Sequence, residues 1–203
     1  MPDSPANIGR SNQRRRTRKD LLEAAARLMK RGAKPSLEEI AEEAMVSRAT
    51  AYRYFTNLDD LLVEAAVDMS IPPASEIFPA GPPEDALTRL KRIDDALDTM
   101  MANNEGPLRL MLAAALEQGR NRRPGDPPRR QNRRTPLIEA ALEPWRGQFA
   151  AAALDRLIHA LALVVGSESM IVFKDVTPLS EAEAKATKAW MMAALLEAAK
   201  KGL

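Results

Sequence analysis

Residues 36–62 read SLEEIAEEAMVSRATAYRYFTNLDDLL. Ser36 followed three residues later by Glu39 is the signature of a capping box, which opens a helix. Leu37, Ile40, Ala41 and Ala44 give that helix a buried stripe at helical spacing. Ser47 caps the next helix, which ends near Phe55, and Asn57 caps another in which Leu58, Leu61, Leu62, Ala65, Ala66 and Met69 face inward. The helix opened by Ser47 carries Arg48, Ala49, Thr50, Tyr52, Arg53 and Tyr54. Small, hydroxylated, aromatic and basic groups on a helix that follows a tight turn suit the reading of DNA. The major groove admits a helix and shows a distinct pattern for each base pair. Arg48 can donate two bonds to a guanine edge, and the methyl of Ala49 or Thr50 can meet a thymine methyl. Tyr52, Arg53 and Tyr54 suit phosphate contacts that set register. Ser36 and Ser47 stand at helix N-termini, where free N–H groups and the positive dipole end favour phosphate. The plain alternative is a three-helix core with its tyrosines packed inside.

Upstream, Leu21, Leu22, Ala25, Leu28 and Met29 share one face of a helix expected from about Thr17 to Arg31, stopped by Gly32 and Pro35. Residues 1–16 are rich in Pro, Ser, Asn and Arg and read as a flexible basic arm. Positions 10–19 hold Arg10, Arg14, Arg15, Arg16, Arg18 and Lys19 without an acid. Arg14, Arg15 and Arg16 suit the adjacent minor groove or flanking phosphates, and a solvated tail is the equal alternative. Downstream, residues 70–83 hold Pro72, Pro73, Pro79, Pro82 and Pro83 and read as a Pro-rich linker. Helical patterns resume over about 84–104, 105–119, 135–149 and 150–174, and Ser180 with Glu183 opens a last helix that ends near Lys201. Residues 120–134 form an arginine-rich loop, either a solvated segment or a second anion-binding surface.

The whole chain agrees with a helical reading. Of its 203 residues 45% are hydrophobic, enough for a sizeable core, while only 4% are aromatic and strand-favouring runs are missing. With no cysteine and a single histidine, disulfides, thiolate metal sites and the usual nucleophile–base pairs cannot be assembled. No glycine-rich phosphate loop is present. The expectation is therefore no enzyme, no cofactor and no metal, although residue types alone leave a paired-carboxylate mechanism open. No N-terminal apolar segment suggests a leader, and the best apolar run, Leu157 to Val165, is too short to span a bilayer. A cytoplasmic protein without a membrane partner is expected.

The stretch LEEIAEEAMVSRATAYRYF followed by a leucine-bearing helix resembles the DNA-binding domain of the TetR/AcrR family of bacterial transcriptional regulators, over about Thr17 to Val67. The resemblance implies an all-α fold: an N-terminal three-helix DNA-binding domain with a helix-turn-helix, and a larger C-terminal helical ligand-binding and dimerisation domain. The organisation it implies is 1–16 basic arm, 17–69 DNA-binding domain, 70–83 linker and 84–203 ligand-binding and dimerisation domain. Arg48, Ala49, Thr50 and Tyr52 take the base-edge and backbone positions, Tyr54 the phosphate-contacting aromatic position, and Phe55 the aromatic of the small core. The sequence departs from the family at Met45, where a turn glycine is usual, at Ala49, where glycine is frequent, and at Leu58, where a phosphate-binding lysine is frequent. A left-handed non-glycine residue costs about 1–2 kcal/mol.

By the same resemblance the partners are double-stranded DNA bearing a palindromic operator, a second copy of the chain and a small-molecule effector. The nucleoid is the site of action when DNA is bound. A two-fold dimer would space its reading helices by about 34–36 Å. The last two helices would pair with their counterparts. Small residues from Ala150 to Ala153, with Ala160, Ala162 and Gly166, allow close approach. Leu154, Ile158, Leu161, Val165 and Val172, with Trp190 and Ala193, are the expected dimer interface. Met100, Met101, Met111, Trp145 and Glu168 are the candidate ligand residues. For the methionines ordinary core filling is the alternative. For Glu168 it is pairing with an arginine or serine at the dimer interface, or only partial burial. His159 reads as a packed or surface residue. The rival function is a helical small-molecule-binding protein with weakened or absent DNA binding.

Overall fold

A computed structural model describes residues 5–31, 35–78, 80–120 and 130–202. The described residues contain helices and no strand, so the all-α expectation holds. The chain divides into two compact units, one of residues 1–70 and 104–131 and the other of residues 71–103 and 132–203.

The first unit holds α1 (Pro5–Lys30), α2 (Leu37–Glu43), α3 (Arg48–Tyr54), α4 (Leu58–Met69) and, from later in the chain, α7 (Glu105–Gly119). Its core joins Leu21, Leu22 and Ala25 of α1 to Leu37, Ile40 and Ala41 of α2, Ala51 and Tyr54 of α3, Phe55, and Leu61 and Ala65 of α4. These are the apolar stripes of the sequence closing on one another. The other side of α4 packs against α7.

One boundary differs from the sequence reading. The first helix begins at Pro5, so residues 5–16 belong to α1 and are not a flexible arm; residues 1–4 lie outside the described residues. Proline suits a first helical position, and the arginines and Gln13 that follow are good helix formers. The Thr17 hydroxyl donates to the Gln13 carbonyl at 3.1 Å, tying the two halves of the helix together. Gly32, expected to stop this helix, lies outside the described residues.

The second unit holds α5 (Ala74–Ile77), α6 (Ala86–Asn103), α8 (Arg134–Leu142) continued by a 3-10 turn (Glu143–Gln148), α9 (Ala151–Val164), α10 (Ser167–Ile171) continued by a π turn (Val172–Val176), and α11 (Glu181–Lys200). The proline-rich stretch thus contains one helical turn, started behind Pro73, with Ile77 buried. Its Pro79 lies outside the described residues, as do residues 121–129 of the arginine-rich loop. Here α6 packs on α8 and α11, and α9 packs on α8 and α11. The Ser180–Glu183 capping box at the start of α11 is formed in full.

Two polar clusters are built into this unit. Lys188 of α11 donates to Asp94 at 2.8 Å and Asp98 at 2.5 Å, one turn apart on α6, with Lys188 and Asp94 both buried. Arg134 of α8 donates to the Ala162 carbonyl at 2.8 Å and to Glu168. It lies so close to Gly166 that a Cβ there would sit 1.7 Å from its guanidinium nitrogen, and the glycine is what makes room. The segment Ala151–Val176 is long and apolar enough, by length and composition, to cross a membrane, which corrects the expectation that no run reaches that length. Its Leu154, Leu157, Ile158, Leu161 and Val164 are buried within the unit, the usual situation of a core helix.

Candidate nucleic-acid interface

The helix-turn-helix is defined by its caps. Ser36 and Glu39 exchange bonds at the start of α2: the Glu39 amide donates to Ser36 Oγ at 3.2 Å, and the Ser36 amide and hydroxyl donate to Glu39 Oε2 at 2.7 and 2.9 Å. Those bonds hold the exposed Glu39 carboxyl below its ordinary range, the Ser36 amide contributing most. At the other end, the Met45 amide donates to Glu42 and the Val46 amide to Ala41, both at 2.9 Å. This six-to-one and five-to-two pair is a Schellman ending, which requires a left-handed residue between the helices. Met45 is that residue, with φ 54°, in place of the glycine such a turn favours. Its side chain is 93% exposed, so no packing compensates the strain.

Immediately after the turn, Ser47 Oγ accepts from the Thr50 amide at 3.1 Å and lies 2.9 Å from the Thr50 hydroxyl. Ser47 and Thr50 therefore fix the first turn of α3 to one another. Arg48, Ala49, Tyr52 and Arg53 project from α3 as exposed residues, while Ala51 and Tyr54 face the core. The outward set is the row that a groove would meet. Tyr54, assigned from sequence to phosphate contact, is 5% exposed, which leaves its ring to the core with Arg53 stacked 5.5 Å from its centre. Asn57 caps α4 through the Asp59 amide at 3.0 Å, and Leu58, next to it, is half-buried against the core. An apolar anchor thus stands where the family often places a lysine.

The arginines of α1 separate into two kinds. Arg15 and Arg16 are exposed and Arg14 half-buried, so cationic surface remains in the first half of the helix. Arg18, counted from sequence with the same basic run, is buried instead. It pairs with Glu64 of α4, donates to the Tyr54 carbonyl at 3.5 Å and covers the Phe55 ring at 4.2 Å. Glu64 also accepts from the Gln131 amide at 3.2 Å. Burial raises the Glu64 carboxyl, against the pull of Arg18.

Sequence reasoning missed Glu38. Its Oε1 accepts from Arg48 at 2.8 Å and from the Tyr52 hydroxyl at 3.3 Å, so one carboxylate of α2 holds two outward groups of α3. The signal available was a surface glutamate one position after Leu37, which resembles any solvated helix face until α3 is folded against α2.

Among the described residues, Met101, Trp145 and Met111 line different cavities. Met101 lines one of about 190 Å³ in the second unit, with Asp98, Met170, Phe173, Leu179 and Lys188. Trp145 lines another of about 320 Å³ with Leu196 and Glu197. Met111 belongs to the first unit, beside Arg18, Phe55 and Glu64, and Met100 is buried. Glu168 is held within this one chain, by Arg134 and the Ser167 hydroxyl. The expected dimer stripe needs correction. Leu154, Ile158, Leu161 and Val165 are buried within this one chain, because their spacing aims them at the core of the second unit. Ala193 is half-buried there. Among the described residues of the second unit, the large apolar side chains left exposed include Leu163 at 65%, Val172 at 43%, Val176 at 67% and Trp190 at 71%. Single exposed apolar residues are ordinary, but Trp190 stands in a helical row with the exposed Ala182, Ala186 and Ala194.

Residues 21–65, from α1 into α4, match the family model described as bacterial regulatory proteins, tetR family. No curated protein and no solved structure matches the chain.

Proposed function

We propose, from the premise that this chain is a TetR-family DNA-binding transcriptional regulator, that it acts as a homodimeric repressor released from a palindromic operator by a small effector. The observation that carries the DNA-reading part is the Ser47-capped α3, which presents Arg48, Ala49, Tyr52 and Arg53 outward while Ala51 and Tyr54 anchor it. Arg48 reads guanine, Ala49 meets a thymine methyl, and Tyr52 and Arg53 set register on phosphate. Thr50 supports the first turn through Ser47 and keeps its methyl for a base. Arg14, Arg15 and Arg16 add salt-sensitive affinity. The chain works where its DNA lies, in the bacterial cytoplasm.

Self-association is supported by the row of Trp190 and alanines on α11, with Leu163, Val172 and Val176. An effector site is supported by the cavity beside Met101, Met170 and Phe173, whose apolar wall ends at Asp98 and Lys188. An effector acts only by binding the DNA-incompetent conformation more tightly than the competent one. The test is selection from a random duplex library by the full chain, followed by gel shift at increasing salt. A palindromic consensus with a salt-dependent shift is expected. Failure to enrich any sequence overturns the reading and leaves a helical binding protein without DNA recognition.

A further inference from the structure

Glu38 is an acid on the face that the proposed function turns toward a polyanion. It is the second residue of α2, with a side chain 44% exposed, and it receives both Arg48, itself 68% exposed, and the Tyr52 hydroxyl. The Arg48 guanidinium also lies 5.5 Å from the centre of the Tyr52 ring, so three side chains from two helices form one cluster. A solvated salt bridge of this kind contributes little to folding. Its position calls for another account.

An arginine at the start of a reading helix is drawn to any phosphate, and phosphate contact is the source of sequence-independent binding. A neighbouring carboxylate changes that balance. A phosphate approaching Arg48 must also approach Glu38, and the two anions repel. A guanine edge offers O6 and N7, neutral acceptors that incur far less of that repulsion. Arginine has five N–H donors, so Glu38 can keep one while others face a base. Holding the guanidinium over Tyr52 also limits the orientations it must give up on binding.

The geometry points to Glu38 as a specificity-determining residue, an anionic filter that keeps Arg48 off phosphates and reserves it for a base edge. This rests on the DNA-reading role of α3 proposed above. The filter lowers affinity for random DNA more than affinity for the operator.

The test compares the full-length wild type with Glu38→Gln by fluorescence anisotropy, from 50 to 200 mM salt. One duplex is selected by the wild type from a random library, and the other is the same duplex scrambled. Glu38→Gln is expected to bind the scrambled duplex more tightly, by at least roughly fivefold. Its salt slope should steepen by about 0.9 per reading helix, the signature of one added phosphate contact. The ratio of selected to scrambled affinity falls accordingly. In an Arg48→Ala background the Glu38 substitution loses most of its effect on the ratio. An unchanged ratio and slope, equal weakening on both duplexes, or the same change with and without Arg48 would overturn the inference. Because the wild type must select a duplex first, a failure of the DNA-reading role is seen separately.

Discussion

Arg18–Glu64 and Arg48–Glu38 are both arginine–carboxylate pairs that join neighbouring helices of the first unit, and they differ mainly in access to water. The side chains of the first pair are 5% and 7% exposed, those of the second 68% and 44%. In the first, Arg18 also supports the end of α3 through the Tyr54 carbonyl and the Phe55 ring, so removing one partner strands a charge in the core. In the second, water replaces whatever is lost, and the arginine is at liberty to exchange its partner. Arg134–Glu168 in the second unit lies between, at 24% and 38%. The same kind of ion pair is locked into the core or left open to water according to burial, not according to residue type.

The largest expected effect comes from breaking the buried pair. Arg18→Met leaves Glu64 without its cation and should destabilise the protein by about 3–5 kcal/mol in urea unfolding. Arg18→Met with Glu64→Leu should recover most of that loss, since a packed apolar pair needs no counter-charge. A single substitution that unfolds like the wild type would break the comparison at its root.

The lysine cluster extends it to pH. Burial lifts the Asp94 carboxyl from its ordinary 3.8 to about 6, outweighing the attraction of Lys188. A folded-state value above the unfolded one means that the native state takes up the proton more readily. This contribution to stability is fully present below about pH 4 and is lost as pH rises through about 6. Relative to Asp94→Asn, the wild type should lose up to about 3 kcal/mol between pH 4 and pH 7. Unfolding curves across that range check it, and a constant difference between the two proteins contradicts it.

At the half-buried pair, Gly166→Ala forces Arg134 from its place beside Glu168 and the Ala162 carbonyl. A loss of about 1–3 kcal/mol is expected, because the displaced guanidinium can still reach water. Smaller still, and opposite in sign, Met45→Gly relieves a left-handed φ that no packing supports. It should stabilise by about 1 kcal/mol, read as a raised thermal midpoint. An unchanged midpoint would mean that the turn is not strained.

Much of the fold was legible because caps and stripes are local. Ser36, Ser47, Asn57 and Ser180 cap their helices as the sequence indicates, and the apolar stripes of α1, α2 and α4 meet in one core. Met45 was legible as a departure, since a Schellman turn requires one left-handed residue and the motif fixes its place. What was not legible depends on partners distant in the chain. A run of arginines in sequence does not distinguish Arg16, in water, from Arg18, whose counter-charge lies 46 residues away. Leu154, Ile158, Leu161 and Val165 are spaced for burial, but spacing does not tell whether the covering surface is this chain or another copy. Glu38 has no signal until α3 folds against α2.

The most direct test of the account is anisotropy titration of the full chain with Arg48→Ala against the selected and the scrambled duplex, beside a thermal melt. If Arg48 turns its remaining donors to a base edge, affinity for the selected duplex falls by roughly 10- to 100-fold. The scrambled duplex should bind nearly as before, with the melt unchanged. Equal losses on both duplexes, or a lowered melt, would show that this exposed pair is part of the scaffold and that α3 does not read sequence through Arg48.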